Sequence, residues 1–526
     1  MVTEGKPKKI ERQDSLVQNV TWRHYMFFVI HMLQSVASSI GQPVLTQYLY
    51  AKIKNEYFIA HNISNNGSHQ RLGRCFKNVT SPGYKLQQEV QSINAEWMQW
   101  FSLCTGIPSI IVIFIAASWI DVLGRKVVVV INMTGHMLRY LMYCLVMNLE
   151  LETAYLLCGY IIEGIVGGHL LNILVTFAYT ADITPRNKKR GFLLVVVHGI
   201  THICYGLAHL GSGYFIRETG FSWPLVFAIC LSGVLIILFV FIVPETMPRG
   251  KLSELSLKKS ILRVTVFYTS DKTKSGPHRL KFWLCLLAFA SLSQSVIGEF
   301  GLEILYELNA PFCWDSVQLG YYGAAMSIGI PMLSISILKI MQEFLSESLI
   351  GFTSLIFFIL RSLIRAFATK TWMLYLSGLI GAPGLLSFAM IRTIVSQLSD
   401  ATEQGSVFAG LGTVEAICGM TSSLMLNSIY AHTLLWMKGF VFVVVAICCV
   451  APASLLLALH FVIKKEQKKQ DEVTVNSVEM ECKDGTPSTS QSNNENGMKH
   501  GEVEEERKES KHGKTTKGEN NLGYMN

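Results

Sequence analysis

Charge is scarce in this 526-residue chain: Asp, Glu, Lys and Arg make up 16% of it, against 50% hydrophobic residues. A soluble protein of this length carries more charge and divides into separate cores. A soluble globular class is therefore excluded. The sequence also lacks a phosphate-cradling glycine loop, an activated nucleophile and any Cys/His cluster with metal-ligand spacing. No enzyme, no metal, no cofactor and no ATP-driven pump is expected. The basic and polar residues Met1 to Arg23 precede no short apolar segment with a small-residue cleavage site, so no cleaved signal peptide is expected. The net charge is +8, but the basic residues sit in loops between apolar runs, and no nucleic-acid partner is expected.

Long apolar runs are what the chain has instead. About twelve stretches of roughly twenty apolar residues lie between Thr21 and Ile463, near 25–46, 97–119, 127–148, 153–178, 190–215, 222–244, 281–306, 317–341, 348–369, 371–396, 406–428 and 436–463. Only helices and closed barrels satisfy their backbone groups in lipid, so the pattern predicts an all-α membrane protein with twelve transmembrane helices. Basic residues gather in the N-terminal segment, beside Arg125 and Lys126, at Arg186 to Arg190, in 248–279, and at Lys464, Lys465, Lys468 and Lys469. The positive-inside rule places these in the cytosol, and an even number of spans puts both termini there.

The opposite side carries the loop 52–96, with sequons at Asn62, Asn66 and Asn78 that predict glycosylation. Asn132 also stands in a sequon, but inside a span, and Asn19 in one on the cytosolic side. Of twelve cysteines, only Cys75 and Cys313 fall in loops on the glycan-bearing side. That compartment is oxidising, so a disulfide between them is expected; the others are read as small buried hydrophobes. The expected organisation is a cytosolic N-terminus (1–24), a first six-helix bundle (25–247), a cytosolic linker (248–280), a second six-helix bundle (281–463) and a disordered cytosolic tail (464–526). Two six-helix halves joined in this way form the major facilitator layout, with the substrate path between them near the midplane.

Several residues carry candidate mechanism. In Asp121-Val-Leu-Gly124-Arg125-Lys126, between spans two and three, Gly124 permits a tight turn, and the run resembles the D-x-x-G-R-[RK] loop of major facilitator transporters, which implies a cytosolic gate. An ordinary capped turn is the alternative. Ionisable residues inside spans are costly and usually functional. Arg392 in span ten needs a carboxylate partner or an anionic substrate, and Glu415 is the structural alternative. Glu163 in span four and Glu299 and Glu303 in span seven are candidate proton carriers. The latter two are four residues apart and share a helical face. His136 and Arg139 in span three, and His198, His202 and His209 on one face of span five, are weaker candidates, with packing as the alternative. Arg361 and Arg365 share a face of span nine and are expected to snorkel from its end.

Three further stretches bear a resemblance: Leu305-Tyr-Glu-Leu-Asn-Ala-Pro-Phe-Cys313-Trp-Asp with Leu319-Gly-Tyr-Tyr-Gly; Ile391-Arg392-Thr-Ile-Val-Ser-Gln-Leu with Thr402-Glu-Gln-Gly405; and the run Asn427 to Phe440. Over about residues 42–462 the chain resembles the proton-coupled folate transporter family, solute carrier family 46. The stretches Leu45 to Tyr50 and Ser212 to Trp223 are most similar to its lysosomal branch that carries steroid conjugates. The resemblance implies a cytosolic gate at Asp121 and Arg125, substrate or proton coupling at Arg392, and a Cys75–Cys313 disulfide. Two positions depart from the folate branch. Val296 stands where that branch has a span-seven histidine, and His198 near its span-five glutamate; His198 is expected to take over part of that role.

The resulting expectation is a proton-coupled symporter of organic anions such as steroid conjugates, working by alternating access between lysosome and cytosol. Its partners would be the anion, protons and the bilayer. A plasma-membrane carrier of folate or muropeptide-like solutes, and a non-transporting receptor or scaffold, are the alternatives.

Overall fold

The computed structural model describes residues 20–64, 72–184, 188–246, 276–398 and 404–483. Every regular element among them is helical. In chain order the spans are Trp22–Ala60, Pro82–Leu123, Arg125–Asn148, Thr153–Ile183, Lys188–Thr219 and Ser222–Ile242, then Arg279–Leu308, Ser316–Phe344, Glu347–Ala366, Thr371–Leu398, Gln404–Thr433 and Phe440–Lys469. Among the described residues, nine of these are long and apolar enough to cross a membrane by length and composition. Spans one, five and eleven complete the twelve. They are more polar, carrying residues such as Gln34, Gln47, His202 and Asn427.

Local signals set the helix ends. Ser81 caps span two by accepting a hydrogen bond from the Tyr84 amide, and Pro82 follows at the first helical position. Asp315 and Gln318 form a reciprocal capping box at the start of span eight. Three boundaries differ from the sequence reading. Span one continues to Ala60 and span two begins at Pro82, so the expected loop 52–96 shortens to 61–81. The last helix continues to Lys483, into the segment expected to be disordered. The residues from Lys464 onward are rich in Lys, Glu and Gln, all good helix formers, and extend the apolar helix without a breaker.

Helix pairing repeats between the halves of the chain. Spans one and five, three and four, and three and six pack together; so do seven and eleven, nine and ten, and nine and twelve. The two six-helix halves are thus internal structural repeats of one another. Across the halves, span two packs along span eleven and span five along span eight. One apolar core draws on both halves, including Tyr48, Phe58, Met98, Leu305, Tyr430 and Phe442. Separate cores form elsewhere, around Phe27, Val128, Tyr179 and Phe239 in the first half and around Ile350, Leu386 and Met390 in the second.

Cys75 and Cys313 are disulfide-bonded, with Cα atoms 5.9 Å apart, as the compartment argument expects. Asn62 and Asn78 are exposed on the same loop. The Asn78 Oδ1 accepts from the amide and hydroxyl of Thr80, the third residue of its own sequon. Asn66 and Asn19 lie outside the described residues, as do nearly all of segments 1–24 and 248–280 and the tail beyond 483.

The disulfide joins segments 238 residues apart. A protease site inserted between Pro248 and Lys274 should therefore yield two fragments that stay together on a non-reducing denaturing gel and part on reduction. Cys75→Ser should let them part without reductant. Separation of wild-type fragments under non-reducing conditions would show that the bridge is not formed in the membrane.

Candidate functional site

At the disulfide-bearing end a cluster of buried amides ties the halves together. Gln87 and Gln88 in span two both donate to the Asn309 Oδ1, at 3.2 and 3.1 Å, and Asn309 donates back to Gln88 at 3.0 Å. Tyr430 in span eleven donates to Gln91 at 3.3 Å. Lys438, in the loop after span eleven, donates to the Ala310 carbonyl at 2.7 Å and stands over the Tyr84 ring. Gln87, Gln88, Gln91, Asn309 and Tyr430 are all essentially inaccessible. Each such bond adds only about 0.5–1.5 kcal/mol net, but leaving one of these groups unpaired costs more. The cluster thus closes this end across the halves through uncharged amides and a tyrosine, with Lys438 as the cation beside them.

The first-half charge centre forms where span four breaks. Gly167 has φ +80, a left-handed conformation that glycine adopts without penalty. The break frees carbonyls, and the buried Asn132 amide donates to two of them, Val166 and Gly168, at 3.0 Å each. Asn132 therefore has a structural task inside the membrane. One turn before the break, Glu163 is ion-paired to Arg139, with His136 at 3.9 Å. Arg139 also donates to the Tyr140 hydroxyl at 2.7 Å, and that hydroxyl in turn donates a hydrogen bond to the Ser38 carbonyl at 2.8 Å. All of these side chains are nearly fully enclosed.

The second-half centre uses the same pairing chemistry, with arginines on span nine, the counterpart of span three, but with its acids on span seven rather than span ten. Span seven breaks at Gly298, whose amide donates to the Ser422 hydroxyl, and Glu299 opens the following helical segment. Glu299 and Glu303 face Arg361 and Arg365 of span nine. Arg361 lies 3.3 Å from Glu299 and 2.8 Å from Glu303; Arg365 lies 2.8 Å from Glu299 and also pairs with Glu303. Arg365 donates to the Tyr322 hydroxyl at 2.7 Å. The expected snorkelling of the two arginines is overturned, since Arg365 is 2% exposed. A guanidinium takes the carboxylates because its planar fork matches them.

At the end opposite the disulfide, Gly124 (φ +90) separates spans two and three. Arg125 pairs with Asp182 at the end of span four, at 3.1 Å. The Arg125 and Lys126 amides donate to the Glu245 carboxylate at 2.8 and 3.2 Å, which sits on the helix N-terminus where an anion is favoured. The Thr246 hydroxyl donates to Asp182 at 2.9 Å. The side chains of Asp121 and His198 lie outside the described residues. Arg392 pairs with Glu415 at 2.7 Å and stands over the Phe289 ring. Its side chain is 41% exposed, unlike those of Arg139 and Arg365.

The structure thus gathers Glu299 and Glu303 with two arginines, Glu163 with Arg139 and His136, and Arg392 with Glu415. Sequence reasoning did not single out Asp182, Glu245, Gln87, Gln88 or Asn309. An acid at a helix end is the signal for the first two. No local signal marks the amides, whose partners lie more than 200 residues away.

Residues 26–423 match the family model for the Major Facilitator Superfamily. The chain is 30% identical over 424 residues to the lysosomal proton-coupled steroid conjugate and bile acid symporter SLC46A3 of Gallus gallus, covering 80% of this chain and 90% of that one. It is 26% identical over 429 residues to the proton-coupled folate transporter of Rattus norvegicus, covering 81% and 90%. A crystal structure of the peptide transporter POT in complex with sulfate superposes with TM-score 0.58 at 12% identity, covering 86% and 98%; that likeness is one of fold.

Two predictions follow from burial. Removing one member of a buried ion pair costs about 3–5 kcal/mol, while an exposed pair contributes about 1 kcal/mol or less. Arg365→Met should therefore lower the melting temperature of the purified protein far more than Arg392→Met; equal shifts would contradict the two environments. Separately, burial pushes the Lys438 ammonium down to about 8 from 10.5. The folded protein then binds fewer protons than the unfolded chain between those values. Stability carried by this group is full above the ordinary lysine value and is lost as pH falls to about 8. Melting temperature should rise with pH across that window, and Lys438→Met should flatten the rise.

Proposed function

Because the chain belongs to the Major Facilitator Superfamily and, within it, to solute carrier family 46, we propose that it is a proton-coupled symporter of organic anions, with steroid conjugates as the favoured cargo. The disulfide and sequons face the lysosomal lumen, both termini face the cytosol, and transport runs from the acidic lumen to the cytosol. Loop charge supports this orientation, and the relative's name supports the compartment and cargo.

One observation carries the reading: each half buries its own neutralised arginine–glutamate centre beside a broken span, and the halves share a polar gate at one end. Buried ionisable groups of this kind mark substrate and proton paths. Alternating access then requires the amide gate to open to the lumen and the Arg125–Asp182–Glu245 end to reorganise toward the cytosol. Arg392 is the arginine suited to receive an anion. It has one carboxylate partner and an open side chain, whereas Arg139 and Arg365 are enclosed among carboxylates and tyrosines. An anion that displaced Glu415 would keep the charge at Arg392 balanced. The folate-branch alternative is disfavoured by Val296, which cannot carry a proton.

Uptake of a radiolabelled steroid sulfate and of labelled folate, into cells displaying the protein at the surface, tests the reading at acidic and neutral external pH. Acid-stimulated steroid sulfate uptake that falls at least about tenfold in Arg392→Ala supports it; one lost charge-assisted contact of 1.5–3 kcal/mol corresponds to about that factor or more. Folate uptake alone reassigns the cargo. Neither cargo moving, with surface expression verified, points first to a different cargo class and second to the scaffold alternative.

A further inference from the structure

The second-half charge centre does not balance. Glu299 and Glu303 are matched by Arg361 and Arg365, two carboxylates against two guanidinium groups. One turn further along the same helix stands a third carboxyl, Glu307, only 4% exposed. Its backbone carbonyl accepts from the Trp314 amide. Among the described residues, no side-chain hydrogen bond or ion pair reaches its carboxyl group, while the carboxylate contacts of Arg361 and Arg365 all go to Glu299 or Glu303.

The ionisable groups around Glu307 come from four helices. Glu303 and Tyr306 lie on its own, Arg365 on span nine, Tyr322 on span eight and Tyr375 on span ten. Only Arg365 is cationic, and both Glu299 and Glu303 already claim it. A buried carboxylate without a cation is costly; a bound proton removes that cost and makes the cluster neutral. Glu307 is also two residues from Asn309, the centre of the amide gate. Opening that gate would uncover Glu307 before the paired carboxylates deeper in the span.

We propose that Glu307 is the carboxyl that takes up the transported proton from the disulfide-bearing side. With the gate open, a luminal proton binds the Glu307 carboxylate. The neutral acid can then be enclosed when Asn309 re-engages Gln87 and Gln88. As the halves reorganise toward the cytosol, water reaches Glu307 from that side and takes up its proton. The number of protons is conserved, and no other co-reactant is needed. Glu299 and Glu303 become the fixed counter-charges of Arg361 and Arg365 rather than the moving site.

This inference rests on the proton-coupled reading above, and the experiment separates the two. Steroid sulfate uptake is measured at acidic and neutral external pH, alongside counterflow of the same probe at equal pH on both sides. Glu307→Gln mimics the protonated acid. It should keep counterflow near the wild-type rate while uptake at the two pH values becomes equal. Retained acid stimulation in Glu307→Gln overturns the proposal. If Glu307→Gln loses counterflow as well, Glu307→Asp decides: restored counterflow and acid stimulation support a carboxyl carrier, and failure to restore them overturns it. Wild-type protein without acid-stimulated uptake overturns the symport reading, and the proposal with it.

Discussion

A guanidinium inside a membrane protein must be neutralised where it stands, and much of this structure follows from that requirement. Arg365 is enclosed by Glu299, Glu303 and Tyr322. To bring both acids to span nine, span seven restarts at Glu299 just after its break at Gly298. The first half repeats the solution. Arg139 meets Glu163 one turn before the break at Gly167, and Asn132 satisfies the carbonyls the break exposes. The helix breaks and the ion pairs are thus one arrangement: irregular backbone is tolerated at membrane depth where protein groups re-satisfy it.

The two ends of the molecule are held by different chemistry, across the halves at the disulfide-bearing end and within the first half at the other. The disulfide-bearing end uses amides, a tyrosine and one lysine donating to a carbonyl. Such a gate keeps its hydrogen bonds whatever the acidity of the compartment, because amides do not titrate. The opposite end uses full charges, with Arg125, Asp182 and Glu245 arranged around a glycine turn and a helix N-terminus. A symporter fed from an acidic side needs this division of labour. The gate on that side should answer to the substrate and the carried proton rather than to bulk pH.

Much of this was legible in the chain. Hydropathy set the twelve spans and the class, and the tight turn at Gly124 was marked by its own motif. The compartment argument paired Cys75 with Cys313 across 238 residues. The Arg392–Glu415 pair was foreseen as the structural alternative for Arg392. Less legible were the partners of Arg361 and Arg365. Their spacing showed a shared face but not what the face met, and span-end snorkelling was the wrong inference. Glu307 was not singled out although it stands in a stretch that carries the resemblance, because nothing in that stretch shows which cations its carboxyl meets. Only the assignment of both arginines to other acids isolates it.

By itself the sequence determined that this protein lives in a bilayer, how often it crosses, which loops are charged and which cysteines could meet, because length, apolarity and charge act locally and leave a periodic trace. The tertiary structure alone decided which charges neutralise one another, where helices break, and which end is shut. Those outcomes depend on contacts between spans up to 339 residues apart, whose energies arise only when two faces are brought together out of water.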